Sequence, residues 1–212
     1  MQYSYLALGD SYTIGEKVDP QFSFPAQLRM AMQANKVELS PPTIVAKTGW
    51  TCEELIQGIT QTELEHQTFD LVTLLVGVND QYRGCSVEEY GPKFQSLLKI
   101  ALALVGERPK HLMVLSVPDY SCTPFGLGRN PTKIAEQIKA FNRLNRKLTD
   151  KFDATYIDIT KISRMGLSDS SLLVNDLLHP SAKMYALWVK EMLAPVMKLF
   201  SISNGIGMLD QT

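Results

Sequence analysis

No stretch of this 212-residue chain is long and apolar enough to cross a bilayer as a helix. The N-terminus, Met1-Gln-Tyr-Ser-Tyr-Leu-Ala-Leu, lacks the basic flank of a secretory leader and leads into a Gly-Asp-Ser turn instead of a cleavage site, so a cytoplasmic location is the default expectation. Charge of one sign is scarce: 21 Lys and Arg against 22 Asp and Glu leave a formal net charge of -1. That balance offers no basic footprint for nucleic acid or an anionic membrane, and points to a small or neutral partner. The 3 cysteines, Cys52, Cys85 and Cys122, show no C-x-x-C spacing, which argues against structural zinc or dithiol chemistry and leaves free buried thiols as the expectation. No Pro/Gly/Ser-rich linker or charge block divides the chain, so residues 1–200 are expected to form a single domain, followed by a polar, Gly-containing tail over 201–212.

Hydrophobic residues at 45% and charged residues at 20% provide for a substantial core. Short β-branched runs alternate with longer helical patterns. Strands are expected at Tyr3 to Leu8, Thr43 to Ala46, Leu71 to Val76, Leu112 to Val117 and Ala154 to Ile157, several of them continuously apolar as strands buried on both faces should be. Between them, Tyr90, Phe94, Leu97, Leu98, Ala101, Leu102 and Val105 share one helical face, and Ile134, Ile138, Phe141, Leu144 and Leu148 share another. Thr51 with Glu54 and Ser86 with Glu89 match the capping box, Asn130-Pro131 suits an N-cap followed by the first helical residue, and a last helix is expected from near Pro180 through Val196. These elements predict an α/β fold, a three-layer α/β/α sandwich around a five-stranded, mostly parallel, flavodoxin-like sheet.

In such sheets ligands lie beyond the carboxyl ends of the strands. Five segments meet that condition: Gly9 to Gly15, Lys47 to Thr51, Gly77 to Asp80, Pro118 to Gly128, and Asn175 to Ser181 folding back before the last helix. Ser11 directly follows the first strand; alone, a serine there is more often a helix cap. Activating its hydroxyl needs a base within hydrogen-bond reach, usually a histidine. Only 3 histidines are present. His66 ends a Glu- and Gln-rich amphipathic segment and His111 precedes a buried strand on the far side, so both read as surface residues. His179 differs, because Asp176 three positions earlier can curl back onto one ring nitrogen and Pro180 can open a helix that fixes the ring's direction. Donors for a developing oxyanion are at hand in Gly49, whose backbone N–H is unobstructed, and in the side-chain amide of Asn79, although each residue alone is more often a turn former.

Gly9-Asp10-Ser11, Gly49, Gly77-Val78-Asn79-Asp80 and Asp176-Leu177-Leu178-His179 occur in this order across almost the whole chain. This resembles the SGNH hydrolase family, also called GDSL esterases and lipases. The resemblance implies Ser11 as nucleophile, His179 as base and Asp176 as its orienter. It also implies an oxyanion hole made by the N–H groups of Ser11 and Gly49 and the amide of Asn79. It implies a carboxylic ester hydrolase working through an acyl-enzyme on Ser11, with a small-molecule ester as partner and no metal or organic cofactor. Tyr12 stands where the namesake motif has leucine, a departure that bears on pocket shape. Tyr12, Tyr82, Tyr120, Phe125 and Leu127 are candidates for an acyl pocket, with the 118–128 segment as its rim.

The G-x-S-x-G nucleophile elbow is absent, since Thr13 stands two after Ser11. The alternative reading is a phosphate- or nucleotide-binding flavodoxin-like domain without hydrolase activity. Its motif fails on spacing: Gly9 and Gly15 enclose five residues, Glu16 follows where a phosphate loop needs lysine, and no G-x-G-x-x-G occurs.

Overall fold

A computed structural model describes residues 2–64 and 67–205 and places strands at all five apolar runs. In chain order the elements are β1 (Gln2–Tyr3), β2 (Tyr5–Gly9), α1 (Ser11–Ile14), α2 (Phe24–Ala34), β3 (Glu38–Leu39), β4 (Thr43–Ala46), α3 (Cys52–Thr60), β5 (Leu71–Leu75), α4 (Val78–Tyr82), α5 (Val87–Leu104), β6 (Leu112–Leu115), α6 (Pro124–Leu127), α7 (Pro131–Lys151), β7 (Thr155–Ile157), α8 (Thr160–Ser163) and α9 (Ala182–Gly205). The main sheet has the order β4-β2-β5-β6-β7 with every neighbouring pair parallel.

Alternation along the strands divides the interior into two layers. Tyr5, Ala7, Leu71, Leu75, Met113 and Leu115 face α2 and α9, where Phe24, Leu28, Tyr185, Trp188 and Met192 are buried. Leu6, Leu8, Val72, Leu74, Leu112 and Val114 face α3, α5 and α7 through Leu55, Phe94, Leu97, Leu98 and Phe141. Both capping boxes form, on Thr51 with Glu54 and Ser86 with Glu89, and Asn130 accepts from the Lys133 N–H.

The expected first strand, Tyr3 to Leu8, is two strands. Ser4 interrupts it because its N–H and hydroxyl both donate to the Asp70 carboxylate, at 2.9 and 3.0 Å, so β1 turns aside to pair with β3 in a separate two-stranded sheet. The 118–128 segment is partly helical, since Thr123 accepts from the Gly126 N–H and Pro124 opens α6. All three cysteines are free, but only Cys52 is buried; Cys85 and Cys122 are half-exposed. The helix α9 extends past residue 200, the expected start of the tail, to Gly205; residues 206–212 lie outside the described residues, as does His66. Among the described residues no helix is long and apolar enough to cross a membrane.

Candidate active site

The sheet's winding reverses at β2. The chain leaves β2 for β4 on one side and returns to β5 on the other, which opens a crevice at the carboxyl end of β2. The candidate residues meet in that crevice. Ser11 is the first residue of α1, following Gly9 at the end of β2. A side chain at Gly9 would collide with the Thr13 hydroxyl at 2.1 Å and the Leu75 carbonyl at 2.4 Å, so only glycine allows this tight strand-to-helix turn. Being at the start of α1, the Ser11 N–H is one of those a helix cannot bond internally.

His179 reaches the crevice from the other end of the chain, on a turn anchored by the Leu173–Pro180 bridge and by the Val174 N–H donating to the His179 carbonyl at 2.9 Å. Asp176 organises this turn with both carboxylate oxygens. Oδ1 accepts the backbone N–H groups of Leu178 and His179, each at 2.9 Å, while Oδ2 holds His179 Nδ1 at 2.7 Å. A carboxylate can only accept from a ring N–H, so Nδ1 carries a proton, and in the neutral ring Nε2 is left as an acceptor. Nε2 stands 3.0 Å from Ser11 Oγ. Partial burial pushes the Asp176 carboxyl up, but the N–H and imidazole hydrogen bonds outweigh it and hold the group below the usual carboxylate range. His179 is nearly buried, and the Tyr12 ring lies 5.3 Å from its own.

Gly49 follows β4 with φ at 85°, a conformation that favours glycine. Asn79 lies in the first turn of α4, after β5, and its amide donates to the Trp50 carbonyl at 3.0 Å with a longer contact of 3.4 Å to Asp10 Oδ2. The neighbouring carbonyl, that of Gly49, accepts from Arg83 Nη2 at 2.6 Å, and Arg83 also pairs with Glu54 at 3.2 Å. Two successive carbonyls of the Gly49 loop are therefore held by residues four apart on α4 and its cap. Sequence reading did not single out Arg83. Its partners lie 29 and 34 positions away, and locally it looks like any cation after a short helix.

Ser11, Gly49, Asn79 and His179 share one cavity of about 180 Å³, walled by Tyr12, Val78, Tyr82, Tyr120, Phe125 and Leu178. Four of the five expected wall residues are present; Leu127 is not among them and is 48% exposed. His111 sits at the opposite edge of the sheet, with Nδ1 2.7 Å from the Asp70 carbonyl.

The sequence profile of the GDSL-like lipase/acylhydrolase family matches residues 7–187. The chain belongs to that family. It is accordingly an ester-cleaving serine hydrolase, and small-molecule esters are the substrates that membership implies. Comparison with curated proteins by sequence gave no match. Solved GDSL-type structures share the fold. The psychrotrophic esterase EstA from Pseudoalteromonas sp. superposes with a TM-score of 0.70 at 19% identity, covering 94% of this chain and 99% of that one. TesA gives a TM-score of 0.73 at 16% identity over 92% of this chain and 99% of its own. Axe2, an acetylxylan esterase from Geobacillus stearothermophilus, gives 0.70 at 18% identity over 92% and 94%. Nothing supports the phosphate-binding alternative for this GDSL-family chain. Where a phosphate would cap α1, Asp10 Oδ1 already accepts the Tyr12 N–H, at 3.0 Å.

Proposed function

We propose that Ser11 is the nucleophile of this ester hydrolase, His179 its base and Asp176 the group that orients the imidazole. The observation that carries this reading is the unbroken line from Asp176 Oδ2 to His179 Nδ1 at 2.7 Å and from His179 Nε2 to Ser11 Oγ at 3.0 Å, all facing one cavity. As Ser11 Oγ attacks the ester carbonyl, its proton passes to Nε2, and the imidazolium that forms is stabilised by Asp176. The oxyanion is received by the N–H groups of Ser11 and Gly49 and by the Asn79 amide, which turns from the Trp50 carbonyl or shares its proton with it. Nε2 then protonates the leaving alcohol, and the acyl group remains on Ser11. Water gives up a proton to the same nitrogen and attacks the acyl-enzyme; the bond from the acyl carbon to Ser11 Oγ then breaks, Oγ takes that proton back from Nε2, and the acid leaves.

Residues 1–200 would act as one hydrolase domain. The near-zero net charge favours a small uncharged ester over nucleic acid as its partner. A fluorophosphonate probe should label the purified chain on the peptide containing Ser11, and Ser11→Ala should abolish both the label and turnover of p-nitrophenyl acetate. Labelling elsewhere, or turnover unchanged in Ser11→Ala, would remove the assignment.

A further inference from the structure

The walls of the cavity differ in what holds them. Tyr120 is buried, and its hydroxyl donates to Gln81 Oε1 at 3.0 Å. Tyr82 is 51% exposed and stands at the outer edge, its ring 6.4 Å from those of Tyr120 and Phe125. Arg129, which does not line the cavity, ties this edge together from outside. Its guanidinium lies 3.6 Å over the Phe125 ring, Nη1 donates to the Phe125 carbonyl at 3.0 Å, and Nη2 donates to the Tyr82 hydroxyl at 3.2 Å. Beyond Tyr82 and Tyr120 lies a second hollow of about 370 Å³, bordered by both tyrosines and by Arg129, Lys133 and Gln137. Tyr82, the more exposed of the two tyrosines that border both, thus stands between a small apolar cavity and a larger, more polar one.

Resting on the reading of Ser11 as nucleophile, we propose that the aromatic cavity holds the acyl group, that Tyr82 is its end wall, latched by Arg129, and that the enzyme is therefore specific for short acyl chains. The acyl group must stay bound through two chemical steps while the alcohol leaves after the first, so the half-open apolar cleft beside Ser11 suits the acyl side. Its size sets the limit. An apolar cavity of about 150 Å³ takes up a benzene molecule, so the part of this space of about 180 Å³ that lies beyond Ser11 has room for an acyl group of at most about six carbons. A longer chain that runs toward the Tyr82 end of the cleft displaces that ring, which breaks its hydrogen bond to Arg129 and its contacts with Phe125 and Tyr120.

The test is kcat/KM of the full chain over p-nitrophenyl esters from acetate to decanoate. The wild type should be most active between butanoate and hexanoate and fall by about 10-fold or more at decanoate. Tyr82→Ala should raise the decanoate-to-butanoate ratio by about 10-fold to 200-fold. Arg129→Ala, which keeps the wall but frees it, should raise the ratio by a smaller factor, and Tyr82→Phe by less still. A flat wild-type profile overturns the proposal, as does a ratio unmoved in both Tyr82→Ala and Arg129→Ala. So does a length limit that follows the alcohol when the acyl group is held as acetyl. Ser11→Ala separates the two levels. Turnover that survives it removes the nucleophile and the proposal with it, whereas turnover lost in Ser11→Ala with an unmoved chain-length profile in Tyr82→Ala removes the end wall alone.

Discussion

The two ends of the sheet each gather a serine, an aspartate and a histidine, and only one end joins them in the order the proposed relay needs. At the amino edge, Ser4 gives its hydroxyl to the Asp70 carboxylate at 3.0 Å, and His111 meets the Asp70 main-chain carbonyl at 2.7 Å. The carboxylate there takes the serine's proton donor for itself, and the ring nitrogen that bonds a carbonyl is committed as a donor. At the carboxyl edge the order is different: the carboxylate holds the imidazole, and the imidazole faces the hydroxyl. Residue types in proximity are therefore a poor sign of a hydrolase. What matters is which group accepts from which, and whether a ring nitrogen faces the serine's hydroxyl.

The sharpest way to break this comparison is to remove each hydroxyl in turn. Ser11→Ala should lower kcat by about 10⁴ to 10⁶ with little change in melting temperature. Ser4→Ala should leave kcat/KM within about twofold but cost about 1–2 kcal/mol, roughly 4 °C in Tm; a comparable loss of activity in both variants would erase the distinction. Asp176→Asn should reduce kcat by about 10⁴, since an amide does not favour the tautomer with a free Nε2. Kinetics retaining full kcat in that variant would show the imidazole to be oriented by other contacts.

Smaller effects probe the donors. Asn79→Ala should lower kcat by about 10² to 10³. Arg83→Ala, which frees the Gly49 carbonyl and the Glu54 carboxylate, should lower kcat by about 10-fold with KM little changed, and Arg83→Lys should recover part of the loss. A rise in KM alone would make Arg83 a substrate contact instead of a positioning residue.

The last effect concerns stability. Asp10 is fully buried, and burial pushes its carboxyl up to about 8, with the nearby Asp80 adding to the rise against the opposing Tyr12 N–H bond. Between the ordinary carboxylate pKa of about 4 and this raised value, the native state keeps a proton that the unfolded chain releases, so stability falls as pH rises through that window. Asp10→Asn keeps the acceptor for Tyr12 and removes the titration. Its Tm relative to wild type should therefore climb steadily between pH 5 and pH 8. A pH-independent difference would show that Asp10 does not titrate there.

Much of this architecture is legible in the sequence because its signals are local. Capping boxes, apolar strand runs and the Asp176 to His179 spacing each lie within a few residues, and the motif order along the chain supplies what spacing cannot. What escaped reading depends on distant partners. The break at Ser4 is caused by a carboxylate 66 positions away. The hold of Arg83 on Gly49 crosses 34 positions, and the Arg129 to Tyr82 contact crosses 47. Leu127 was read as a wall because it is large and near the rim, but α6 turns it to solvent, whereas Phe125 on the same short helix lines the cavity.

The turn that carries both Asp176 and His179 has a consequence for assembly. In hydrolases whose acid and base sit on separate strands, the fold must align three distant pieces to within a fraction of an ångström. Here two of the three arrive already joined, oriented by a ring of bonds closed within four residues, and a single long-range encounter, across 168 positions, remains to be made accurate. Errors of placement thus fall on one distance. Motion of that turn would connect or disconnect the whole relay at once, leaving its internal alignment intact.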